Sequence, residues 1–421
     1  MSAQSISPVS QVLASLFLTL FALTDHAHAN DGAFDNLAKM VKDGTAKLDL
    51  RYRFEGVDQG GFDADAEAST LKTRLTLTTA PLNGFTAQLE FDDSNSIWVN
   101  DYNSTRNGKG SYPIIADPEG TDLNQAWIAY KSHGVKAKFG RQRILHGSQR
   151  FVGGVAWRQN EQTYDGVRFE AKPIDGLSLD VAFVSNINRI FGPEDGVQPS
   201  DWQGDNVFLR SQYTLTKSHS VAGFGYLIDV DAQNDFSAGK TVNNSTSTFG
   251  VEYKGKFAQY LELSASWATQ SDDGASELDF EADYYMVELG GTVNTIKLRG
   301  GIEVLGSGED KNTGLNVGFK TPLATLHKFQ GWSDKFLGTP ADGIEDTYVG
   351  ISGKVGDVKL AAVYHDFQAE SSGTKYGTEL DLVVTWPVNK YLTLQAKYAD
   401  YDADELLSDT SKFWLTAQLK L

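Results

Sequence analysis

The sequence predicts an all-β protein, a single transmembrane antiparallel β-barrel of about eighteen strands preceded by a cleavable signal peptide. Three observations predict it. Apolar and polar residues alternate with period two along most of the chain beyond residue 44. Tight and long connections alternate between these segments. No apolar run approaches the roughly twenty residues of a membrane helix. The 421 residues carry a net charge of −18 and no cysteine. That excludes a disulfide scaffold and a thiolate metal site, and it argues against nucleic acid as a partner, because phosphate binding needs a basic surface.

The chain opens with its longest apolar run, Val12–Leu23. About a dozen residues suit the core of a secretory signal. Ala27-His28-Ala29 follows as an A-x-A cleavage pattern, giving a signal peptide over 1–29. Residues 30–43 form a periplasmic lead-in, either a short helix or a flexible stretch, and the barrel occupies 44–421. Without cysteine there is no lipid anchor at the new amino terminus.

Strands follow from alternation. Lys47–Phe54 switches between charged and apolar residues at every step, as does Leu71–Leu77. Phe85–Phe91, Leu177–Val184, Ile296–Val304 and Leu392–Tyr398 repeat the pattern. The last nine residues place Phe413, Leu415, Ala417, Leu419 and Leu421 on one face, against Trp414, Thr416, Gln418 and Lys420. Barrels of this kind usually end in an aromatic read by the assembly machinery. Here Leu421 keeps the apolar bulk without the ring.

Tight turns fall at 81–84, 132–134, 173–176, 216–218, 255–257, 291–294, 356–357 and 387–389, rich in the residues hairpins require. Between them run polar connections at 57–68, 93–120, 144–161, 186–204, 230–245, 271–281, 305–345, 369–375 and 401–410. Strict short–long alternation with an even strand number matches a membrane barrel. Closure pairs every backbone group, the only way strands cross lipid. The apolar face then meets lipid and the polar face a lumen. Aromatics near strand ends, including Tyr52, Trp127, Tyr130, Trp267, Tyr284, Tyr285 and Trp386, suit the interfacial girdle.

Two stretches are denser than this rhythm requires. One runs from Phe139-Gly140-Arg141-Gln142-Arg143 through Gln149-Arg150-Phe151-Val152-Gly153 to Trp157-Arg158-Gln159-Asn160 and Thr163-Tyr164-Asp165-Gly166. The other comprises Leu326-His327-Lys328-Phe329-Gln330-Gly331-Trp332, Asp334-Lys335-Phe336-Leu337, and Gly343-Ile344-Glu345-Asp346-Thr347-Tyr348-Val349-Gly350. Both resemble recurring blocks of the alginate export family of Gram-negative outer-membrane proteins, a likeness spread over nearly the whole mature chain. The resemblance implies a monomeric barrel in the outer membrane, set among lipid and lipopolysaccharide, passing an anionic saccharide through an arginine-rich constriction.

Guanidinium groups would serve such a path, since they bind carboxylates bidentately and keep their charge. Inward-phase bases are Arg51, Arg53, Arg74, Lys136, Lys138, Arg168, Arg210 and Arg299, joined at a strand–loop junction by Arg141, Arg143, Arg150 and Arg158. Inward acids are Asp49, Glu90, Asp92, Glu170, Asp180, Glu252, Glu288, Glu303, Glu379 and Asp381. Two arrangements remain open: an anion-selective constriction, or a balanced lattice of cross-strand pairs. Acidic clusters in the long loops read as solvated surface near the cations that bridge lipopolysaccharide. The 305–345 connection is long enough to fold inward as a gate, with Phe329, Trp332 and Phe336 offering sugar-stacking surface.

No enzyme is expected. There is no G-x-S-x-G elbow, His146, His327 and His365 are far apart in sequence, and no metal-ligand spacing or cofactor motif stands out. An uptake porin for small acidic nutrients is the alternative reading, followed by a barrel enzyme or a structural barrel.

Overall fold

The computed structural model describes residues 31–233, 240–257 and 260–421. The expected signal segment, 1–29, lies outside the described residues. Helix α1 (Asp31–Lys42) comes first, and its Met40 carbonyl accepts from the Ala80 N–H at 2.9 Å.

The strands follow in order. They are β1 (Thr45–Gln59), β2 (Ala66–Thr78), β3 (Phe85–Asp101), β4 (Gly120–Ser132), β5 (Val135–Gln142), β6 (Thr163–Ala171) and β7 (Leu177–Asn188). Next come β8 (Asp201–Thr216), β9 (His219–Ile228), β10 (Thr246–Phe257), β11 (Leu261–Asp272), β12 (Glu281–Val293) and β13 (Ile296–Leu305). A small hairpin, β14 (Ser307–Glu309) and β15 (Asn316–Gly318), interrupts the following loop. Then β16 (Ile344–Val355), β17 (Val358–Gln368), β18 (Lys375–Pro387), β19 (Leu392–Ala403) and β20 (Thr410–Lys420) complete the chain.

Apart from the hairpin, each strand pairs antiparallel with its neighbours, β13 pairs β16, and β20 returns to β1 with Gln418 opposite Arg51. Eighteen strands thus close without a free edge. Short turns occupy one end. Asn83 and Gly84 both have positive φ (49° and 88°), as a tight hairpin turn requires. A Cβ on Gly84 would sit 2.7 Å from the Lys131 carbonyl. All the long connections leave the other end. Most are shorter than the sequence suggests, because strands such as β3, of 17 residues, continue into them, whereas the β5–β6 and β9–β10 connections are slightly longer.

The alternation resolves into two faces. Arg51, Arg53, Glu55 and Val57 are buried inside, while Tyr52 and Phe54 point out. Leu289, Leu298, Val349, Leu382 and Leu415 belong to an exposed apolar outer band, which water would disfavour at about 25 cal/mol per Å². Two of the expected girdle aromatics lie elsewhere. Trp127 faces inward, with the Lys138 ammonium 4.3 Å from its ring centroid. Tyr284 is buried inside against Phe151.

Two long connections turn into the barrel: the β5–β6 loop (143–162) and the β13–β16 loop (306–343). Their Phe151, Phe319 and Phe336 pack with inward residues Tyr164, Phe208, Tyr226, Tyr284 and Phe367. The hydrophobic core of this barrel therefore sits within its lumen.

Candidate functional site

The wall first fixes the β5–β6 loop. Arg51 donates through Nε to Gln159 Oε1 and through Nη1 to the Ala156 carbonyl, both at 2.9 Å, and through Nη2 to the Arg158 carbonyl. Arg53 donates to the Trp157 carbonyl at 2.6 Å and lies 4.0 Å over the indole. Arg74 grips Asp92 with two N–H groups (2.6 and 2.5 Å) and holds Glu161 of the loop at 2.8 Å. Arg143 pairs with the same Glu161 at 2.5 Å and with Glu90. Each of these bases of β1 and β2 spends at least one donor on the loop.

The β13–β16 loop is held by the adjoining strands β18, β19 and β20. The carboxylate of Glu379 accepts from the Ser333 N–H at 2.7 Å. Trp332 lies 3.6 Å from the Lys397 ammonium, which also contacts His327. Asp334 receives Arg158 at 3.1 Å and Lys412 at 3.4 Å. Phe336, 5% exposed, packs on Phe367 with ring centroids 4.7 Å apart, so it anchors the loop and has no free face for a sugar. Phe329 sits under the Arg150 guanidinium at 4.7 Å.

The two loops also meet. Gly153 N–H donates to the Leu323 carbonyl (2.9 Å), Thr325 N–H to the Gln149 carbonyl (3.0 Å), and Val155 N–H to Thr325 Oγ1 (3.1 Å). Arg150 spans them, with Nε 2.9 Å from Glu303 and Nη2 donating to Gln330 at 3.0 Å. Together the loops form a partition across the lumen.

The remaining predicted bases also have partners. Lys136 pairs with Glu170 (2.9 Å), Arg168 with Asp180 (2.8 Å), Arg210 with Glu252 (2.6 Å) and Arg299 with Glu288 (3.2 Å). Arg158 also holds Glu55 at 2.9 Å. Arg141 shares the strand phase of outward Phe139, opposite Lys138, and is taken up by Asp165 at 2.8 Å. The twelve predicted bases thus do not converge on one positive wall. Most make the paired lattice, and Lys138 rests on Trp127.

Cavities lie on either side of the partition. Toward the short-turn end are two, of about 740 and 270 Å³, both reaching Glu252 and Lys254. Lys131, Lys172 and Lys254 line the larger, and none of the three forms an ion pair among the described residues. Toward the long-loop end lies a vestibule of about 610 Å³, bounded by the two loops and the β7–β8 loop. Sequence reasoning missed Lys72, Arg189 and Trp202. Lys72 had a usable signal, since it alternates with Leu71 and Thr73 inside an assigned strand and is buried inward. Arg189 and Trp202 border an irregular loop, where no period marks direction.

Comparisons with known proteins agree with this architecture. A family model described as "Alginate export" matches residues 45–303. No curated protein sequence matches the chain. Among solved structures, Pseudomonas aeruginosa OccK3 (OpdO) aligns with a TM-score of 0.66 at 11% identity, covering 93% of this chain and 99% of that one. Pseudomonas aeruginosa OpdK, solved with vanillate, aligns at 0.67 and 11% identity, covering 91% and 99%. Acinetobacter baumannii OccAB2 aligns at 0.67 and 14%, with the same coverage. At such identities these structures speak for the fold alone.

Proposed function

This chain belongs to the alginate export family, and from that premise we infer that it is a diffusion channel of the outer membrane for small anionic solutes. The observation that carries this reading is the partition. Two loops bonded to each other and to adjoining stretches of the wall fold into the lumen between chambers of small-molecule size. Fixed charge supports the sign of the solute. Among the described residues Lys131, Lys172 and Lys254 stand without an ion pair around the inner chamber of a chain whose net charge is −18. OpdK, a structural relative, was solved with vanillate, a small carboxylate. Passage of an anionic polysaccharide is the second reading, favoured by the family description itself. It requires the partition to open. No catalytic role enters either reading.

Reversal potentials in planar bilayers under a salt gradient test the sign, and an anion preference is expected. Liposome swelling tests size, with monomeric glucuronate entering faster than a long oligouronate. Cation preference in the intact protein would sink the proposal. Equal entry of monomer and long oligomer would favour the polymer instead.

A further inference from the structure

The vestibule above the partition contains one guanidinium that the ion-pair lattice does not use. Arg189 follows β7 directly, and its guanidinium lies between two rings, 4.7 Å from Phe191 and 4.1 Å from Trp202. Nη1 donates to Gln198 Oε1 and to the Pro199 carbonyl, each at 3.2 Å. Among the described residues its Nε and Nη2 carry no hydrogen bond, and no carboxylate pairs with it. Burial draws its pKa below the ordinary guanidinium value, and no neighbouring charge opposes this.

The rest of the vestibule lining is similarly rich in unused donors. Trp157 Nε1, Trp202 Nε1, Thr105 Oγ1 and Ser333 Oγ border it, and each is buried without a hydrogen-bond partner among the described residues. Buried donors normally find acceptors, because an unmade bond costs about 1–3 kcal/mol. Four in one chamber beside an unpaired guanidinium form a set that a ligand bearing several oxygens and one negative charge would satisfy. The geometry is held in advance: Asn160 of the β5–β6 loop donates toward the carbonyls of Arg189, Ile190 and Gly192, at 3.4–3.5 Å.

We propose that this vestibule is a binding site for a small oxygen-rich carboxylate arriving from the long-loop side, with Arg189 as its anion-recognition residue. The carboxylate meets Nε and Nη2 of Arg189, and hydroxyl oxygens accept from the indole and hydroxyl donors. Phe191 and Trp202 hold the guanidinium flat, which a lysine ammonium cannot reproduce. The site deepens the small-anion reading above and rests on it for its physiological meaning, although binding itself is measurable without transport.

Purified full-length protein titrated with glucuronate, benzoate and glucose, followed by tryptophan emission and calorimetry, tests the site. Glucuronate should bind saturably, with benzoate and glucose weaker. Arg189→Gln should weaken glucuronate by about tenfold or more, the value of one charge-assisted bond. Arg189→Lys should recover only part of this. Trp202→Phe, which keeps a ring and removes the N–H, should weaken glucuronate more than benzoate. Unchanged glucuronate affinity in Arg189→Gln would overturn the proposal, as would equal affinity for all three probes. A cation-selective channel that still binds glucuronate through Arg189 would overturn the permeation reading and support the site.

Discussion

The backbone N–H of Gly153 donates to the carbonyl of Leu323 at 2.9 Å, bonding two loops that leave the barrel from different strand pairs. The contact is close because position 153 lacks a side chain. A Cβ there would lie 2.3 Å from Thr325 Oγ1 and 3.0 Å from the Thr325 nitrogen. Since the second is backbone, the loops themselves must separate. Gly153→Val should therefore part the partition at a cost of about 1–3 kcal/mol, the range for overpacking. Liposome swelling should then admit larger sugars than the wild type does. Unaltered size exclusion would show that this contact does not set the aperture.

Arg74 satisfies Asp92 from the wall and Glu161 from the β5–β6 loop at once, with all three nearly buried. Arg74→Met would strand Asp92 in a dry setting and leave Glu161 to Arg143 and Asn124. Breaking a buried pair from one side costs about 3–5 kcal/mol. The variant should melt earlier by circular dichroism and show noisier single-channel current as the loop loosens. Arg74→Lys should rescue little, because one ammonium cannot bridge both carboxylates bidentately. A quiet channel of wild-type stability in the methionine variant would refute this role.

These two sites show where the sequence is legible and where it is not. The strand carrying Arg74 reads directly, because lipid on one side and polar lumen on the other impose a two-residue period on Leu71–Leu77. Tight turns read as well, since Asn83 and Gly84 are residues that accept positive φ. Inward phase also points correctly to Arg51 and Arg53. Their targets stay hidden, being the main-chain carbonyls of Ala156, Arg158 and Trp157 in a loop without period. The length of the 305–345 connection signals inward folding, yet the burial of Phe336 depends on Phe367, Tyr376 and Tyr401, supplied by three later strands.

Glu161 gives the partition a defined acid response. Burial by itself would raise its pKa, but Arg74, Arg143 and Lys72 outweigh that and hold it well below the ordinary 4.5. A carboxylate depressed in the folded state contributes stability above its unfolded pKa, and this is lost only as pH falls through the lower folded value. Single-channel conductance should accordingly stay level from neutral pH down to about pH 4. Glu161→Gln should raise current noise throughout that window. A conductance step in the wild type centred near the ordinary carboxylate pKa would contradict the assignment.

Removing residues 325–340 tests the β13–β16 loop as the movable half of the partition. The deletion takes away His327, Trp332, Asp334 and Phe336, and with them the contacts to Lys397, Arg158, Lys412 and Phe367. The strand ladder does not pass through this segment, since β13 pairs directly with β16 through Leu305 and Ile344. The barrel should still close and migrate as a heat-modifiable band, with a lower melting temperature because the Phe336 cluster is gone. Single-channel conductance should rise, since half of the partition has left the lumen while the β5–β6 loop stays on Arg51, Arg53 and Arg74. Removing the Arg74 clamp as well should raise it further. Conductance equal to the wild type in the deletion variant would mean that ions bypass the β13–β16 loop and that the β5–β6 loop alone limits flow.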